Sequence, residues 1–93
     1  MTLLMKDPEA VLDYAIDWSA EYLGEDMLAA SGWTVEPEEE GGVVIVGSDF
    51  DPGIASVKAS GGVAGRLYKL INQVTMASGR IDQRSIVLRV EQR

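Results

Sequence analysis

Two alternating runs near the C-terminus constrain this chain more than any other feature. In "RLYKLINQVTMA" (Arg66 to Ala77), Tyr68, Leu70, Asn72, Val74 and Met76 share one face, with Leu67, Lys69, Ile71, Gln73 and Thr75 on the other. In "RSIVLRV" (Arg84 to Val90), Ile86, Leu88 and Val90 alternate against Ser85, Val87 and Arg89. A period of two marks a half-buried strand, and the intervening "SGR" supplies a glycine for a tight reversal. The pair predicts a long β-hairpin.

Similar signals recur upstream. "VVIVGSDF" (Val43 to Phe50) opens with four β-branched residues between glycines, which predicts a strand buried on both faces. "DPG" (Asp51 to Gly53) is a turn, with Pro pre-setting φ and Gly free to take the left-handed region. "IASVKAS" (Ile54 to Ser60) is a weaker strand and "GGVAG" (Gly61 to Gly65) a further turn. "PEEEGG" (Pro37 to Gly42) is a solvated acidic connection, preceded by a strand that places Trp33 and Val35 on one face. Strands spaced by about ten to fourteen residues, with turn chemistry between them, predict an all-β sandwich of about six to seven antiparallel strands. Tyr68 fits that architecture. It stands three residues after Gly65, at the head of the penultimate strand, where a tyrosine corner bonds its hydroxyl back to the preceding connection.

The segment "DPEAVLDYAIDWSAEYLGED" (Asp7 to Asp26) supports two patterns. As a helix it has Asp7 at the N-cap, Pro8 at the first position and Gly24 as a stop, with Val11, Leu12, Ala15, Trp18, Tyr22 and Leu23 on one face. As a strand, Leu12, Tyr14, Ile16, Trp18, Ala20 and Tyr22 alternate with Asp13, Asp17, Ser19 and Glu21. Periodicity alone leaves the two level. A six-stranded remainder would lack a partner for its first sheet edge, which favours a strand from Val11 to Ser19, with Tyr22 to Asp26 turning into the next. Trp18 is then an inner-face core residue, as are Tyr14, Trp33, Tyr68, Leu70, Ile86 and Leu88. Residues 1–10 become an extended arm, and residues 11–93 the single sandwich domain.

Composition removes most chemistry. The chain of 93 residues has no cysteine and no histidine, so disulfides, thiolate zinc sites and His-dependent nucleophilic catalysis are excluded. Eight basic against fifteen acidic residues give a net charge of −7, with the cations scattered, so neither a nucleic acid nor an anionic membrane is an expected partner. "MTLLMKD" lacks a signal-peptide core and no run reaches transmembrane length. Asp49 and Asp51 before Gly53 lack the further ligands and terminal Glu of a calcium loop. "SGGVAG" lies between strands, without the helix that a phosphate cradle needs. No active site, metal or cofactor is expected.

The ordered pattern "KDPEAVLDYAIDWS", "LGEDMLAASGWTV" and "ASGGVAGRLYKLINQVTMASGRIDQRSIVLRV" resembles a family of small tailed-bacteriophage virion proteins known as fiber–tail adaptors. Lys6-Asp7-Pro8, Asp17-Trp18-Ser19, Ser31 with Trp33-Thr34-Val35, Ser60-Gly61-Gly62, and Gly79-Arg80 with Arg84-Ser85 carry the likeness most specifically. The resemblance implies an immunoglobulin-like sandwich whose first strand is "AVLDYAIDWS". It departs at "AEYLGED", where Tyr22 takes the aromatic position, and in the acidity of "VEPEEEGG". By implication the chain is a non-enzymatic structural component of the virion, assembled in the host cytoplasm in several copies. Its partners would be tail, fiber, head–tail junction or capsid proteins. Leu3, Leu4 and Met5 of the arm, with Tyr22, are the expected docking residues, because an isolated chain offers the arm no evident core partner. The alternatives are a capsid-decorating protein or a receptor- or glycan-binding module, the last requiring an exposed aromatic platform from Trp18, Tyr22 or Trp33.

Overall fold

A computed structural model of the chain describes residues 2–19 and 26–91. It contains seven strands: β1 (Thr2–Lys6), β2 (Leu12–Asp17), β3 (Leu28–Glu36), β4 (Val43–Phe50), β5 (Ile54–Gly61), β6 (Leu67–Met76) and β7 (Ile81–Val90). They form a four-stranded sheet in the order β1-β7-β6-β3 and a three-stranded sheet in the order β2-β5-β4. The result is an all-β sandwich whose strand order is consistent with an immunoglobulin-like fold. All pairings are antiparallel except β1 with β7, which is parallel and sets Leu4 opposite Leu88 and Lys6 opposite Val90.

The hairpin is longer than its sequence signal. β6 and β7 pair from Leu67↔Arg89 to Thr75↔Ile81, so β7 begins three residues before Arg84. Tyr68, Leu70, Asn72, Val74 and Met76 all face the interior, as the period of two requires. The ambiguous segment is a strand from Leu12 to Asp17, a little shorter than the expected Val11 to Ser19. Its capping residues form a turn instead: Asp7 Oδ1 accepts the Glu9 N–H at 2.8 Å, and the Asp7 carbonyl accepts that of Ala10 at 3.1 Å.

Two sequence expectations need correction. β4 is not buried on both faces. It is the edge of the three-stranded sheet, with only Val43 buried, and a bulge between Ile45 and Gly47 bends it. β5, the weaker signal, is instead the central strand. Its inward residues are the small Ala55 and Ala59 with Val57, which bring the sheets close but contribute little β-propensity. Residues 1–10, expected as an arm outside the sandwich, contain β1, because pairing along β7 satisfies backbone groups that a free arm would leave to water.

A polar group lies at the centre of the apolar interior. Asn72 is fully buried; its Oδ1 accepts the Trp18 Nε1–H at 2.9 Å, and its Nδ2 donates to Ser31 Oγ (2.9 Å) and the Gly32 carbonyl (3.0 Å). The Arg84 guanidinium lies 5.0 Å above the Trp18 ring, at cation–π distance. The turn between β5 and β6 closes just as tightly. Gly62 has φ +117°, and a Cβ there would stand 2.7 Å from Val90 Cγ2.

Asn72→Leu should therefore destabilise the protein by about 3 kcal/mol, since it removes the acceptor of the buried Trp18 indole N–H and the donor to Ser31 and Gly32. Gly62→Ala should cost about 2 kcal/mol through its backbone conformation and the clash with Val90. Denaturant titration at neutral pH measures both, and an Asn72→Leu protein as stable as the parent would refute the role assigned to the amide.

Candidate docking surfaces

Among the described residues no three His, Cys, Asp or Glu side chains converge to hold a metal, and no helix is long and apolar enough to cross a membrane. Asp51 is committed to its turn: its Oδ1 accepts the N–H groups of Gly53 at 2.9 Å and Ile54 at 2.8 Å. Gly61, the last residue of β5, and Gly62, the first of the connection to β6, take positive φ and do not stand at the mouth of a helix.

The tyrosine corner is present. Tyr68 Oη accepts the Val63 N–H at 3.0 Å and donates to Glu39 Oε1 at 2.5 Å. Burial and the bond to Glu39 hold the phenol above its usual pKa. The acidic connection is thus more than a solvated loop, since Glu39 also meets Arg66 at 3.2 Å. Its sequence signal was hidden, because nothing distinguishes Glu39 from Glu38 or Glu40 until the fold brings Tyr68 beside it.

Beside that corner lies a group that residue patterning did not reveal. Lys6 is 2% exposed, and its Nζ donates to the carbonyls of Asp7 (2.9 Å), Ala10 (2.6 Å) and Gly61 (2.6 Å). Those bonds tie the end of β1 to the following turn and to the end of β5. Burial lowers the pKa of the ammonium and the neighbouring Asp7 opposes that shift, the net direction being down.

The expected docking and aromatic residues fall in different places. Leu4 packs against the core and Met5 is 44% exposed on the outer face of the four-stranded sheet. The side chain of Leu3 and all of Tyr22 lie outside the described residues. Trp18 is wholly buried and Trp33 half-buried against the core. Tyr14 is also half-buried, and its hydroxyl and the Trp33 Nε1 have no hydrogen-bond partner among the described residues.

The open sides of the sandwich differ. At one, β2 carries Asp13 and Asp17, and charged residues are a common guard on a sheet edge. At the other, the edge strands β3 and β4 run side by side with a cleft of about 360 Å³ between them, lined by Trp33, Val35, Glu38, Val43, Val44 and Ile45. Val44 (48% exposed) and Val46 (54%) stand in solvent there, and no charged residue occurs from Val43 to Ser48.

The family model described as podophage GP4 fiber-tail adaptor protein gp77 matches residues 6–89. No curated protein matches the chain. The family match begins at the buried lysine.

Lys6→Met should lower stability by about 1–3 kcal/mol at neutral pH by leaving the carbonyl acceptors of Lys6 without their donor. The pH dependence has a definite sign. With its folded pKa below 10.5, Lys6 costs the fold most while charged, and that cost fades as pH rises from the lowered value towards 10.5. The stability difference between wild type and Lys6→Met should widen across that window in denaturant titrations. Tyrosine ionisation, common to both proteins, cancels in the difference. A gap that narrows would refute the assignment.

Proposed function

The chain belongs to the podophage GP4 fiber-tail adaptor family, and from that membership we propose that it is a non-enzymatic structural adaptor of a phage particle, joining a tail or head–tail junction component to a fiber. The family match carries this reading. The architecture supports it: a disulfide-free sandwich with Cα extents of 42 × 21 × 17 Å is an elongated rigid block that offers distinct surfaces to different neighbours. The role places it in the virion, in several copies, after assembly in the host cytoplasm. Its partners are proteins. The outer face of the three-stranded sheet carries Asp13, Asp17 and Asp49 around Lys58, which suits neither nucleic acid nor an anionic membrane.

One docking surface in this reading is the outer face around β1, where Met5 lies opposite Arg89 and near the exposed Leu67. Leu4 is part of the fold, so removing residues 1–5 would damage the sandwich as well as any interface. Met5→Glu separates the two effects. The glycan-binding alternative has no support from the tryptophans, since Trp18 is wholly buried and Trp33 half-buried.

A phage lacking this gene should assemble particles without fibers, visible by negative-stain electron microscopy, and the wild-type protein should be found in purified tails. Met5→Glu should melt within about 2 °C of wild type, as expected for an exposed substitution, yet fail to restore fibers fully. Normally fibered particles from the deletion mutant would refute the adaptor role.

A further inference from the structure

We propose that the β3/β4 side of the sandwich is the second docking surface of the adaptor, and that its occupant is an extended, Lys/Arg-bearing segment of another virion protein that adds as a strand to the free edge of β4. The inference rests on the adaptor reading and goes beyond it by specifying an edge, a mode of contact and the partner's chemistry.

Three observations carry it. First, β4 is composed as an interior strand yet sits at an edge. Val43 to Val46 is a run of four β-branched residues, but β4 pairs only with β5, and Val44 and Val46 are about half exposed. Such an uncharged edge is a template for a further strand. Second, the neighbouring cleft can take side chains from that strand. Successive residues of an added strand point alternately to the two faces, so every second one would face the space walled by Trp33, Val35, Val43 and Ile45, with Glu38 at its rim. A long aliphatic stem ending in a cation matches an apolar wall with a carboxylate at the mouth.

Third, charge selects among occupants. Glu36, Glu38 and Glu40 lie exposed at one end of this side, and Asp49 and Asp51 at the other. A second copy of this chain, with net charge −7, would bring the same carboxylates against themselves. A cationic segment instead gains attraction at both ends of the edge. The position also fits a linker, because β3 and β1 are the opposite edges of the four-stranded sheet, so the β1 face and the β3/β4 side can be occupied together.

The absence of native cysteine permits a direct test. Val46→Cys, carried into phage and labelled in purified particles with a thiol-anchored photo-crosslinker, should couple to a Lys/Arg-bearing segment of another virion protein identified by mass spectrometry. Ala15→Cys on β2 should not give that product. Val44→Lys/Val46→Lys, both at exposed positions, should leave the melting temperature of the purified protein unchanged but lower incorporation into particles about tenfold. Normal incorporation of the double variant, a Val46 crosslink only to another copy of this chain, or no crosslink from particles that contain the protein would each overturn the edge proposal. Absence of the wild-type protein from particles would overturn the adaptor reading itself, a separate outcome.

Discussion

The bond between the Trp18 indole and the Asn72 amide fixes how the two sheets sit on each other. Apolar packing between sandwich faces is non-directional and would tolerate sliding. A buried amide does not, because each of its groups costs free energy unless it meets a partner. Asn72, on β6 of the four-stranded sheet, reaches Trp18 just beyond β2 of the other sheet and bonds sideways to Ser31 and Gly32 of β3. Three segments distant in sequence are thereby held in one register, and Arg84 from β7 lies over the same indole. The polar residues of this core specify alignment while Leu70, Leu88 and Val74 supply the burial around them.

What was legible in the sequence was whatever repeats with period two. The β6–β7 hairpin, the inward face from Tyr68 to Met76 and the strand character of Leu12 to Asp17 all follow from side chains alternating across a pleat. The tyrosine corner was legible as well, because its position after a glycine turn is a local signal. Asp7 and Pro8 misdirect for a physical reason: a carboxylate that accepts a nearby N–H caps a helix and closes a turn by the same bond.

Illegible features depend on partners without residue-type signals. Lys6 breaks the expected pattern, a cation at an inward-facing position, and its acceptors are backbone carbonyls that any residue could provide. Glu39 is one of three adjacent glutamates until Tyr68 selects it. "TLLMK" resembles a loose arm because its strand partner, β7, lies 84 residues downstream and runs parallel to it. Parity then decides the rest: Leu4 and Lys6 share the inward side, and Met5 is left in solvent.

The misplacement of β4 is the most instructive of these. Its composition calls for cover on both faces, and the fold supplies cover on one face only, at Val43 and in part at Ile45, while the central position goes to the weaker-looking β5. Stability alone does not explain the arrangement, since exposed Val44 and Val46 add little to a monomer and an apolar, uncharged edge invites association. The β2 edge, by contrast, carries aspartates, so the chain does not treat its edges alike. A strand written for an interior but placed at a rim, beside an apolar cleft and between clusters of carboxylates, has the composition of a sheet whose next strand belongs to another protein.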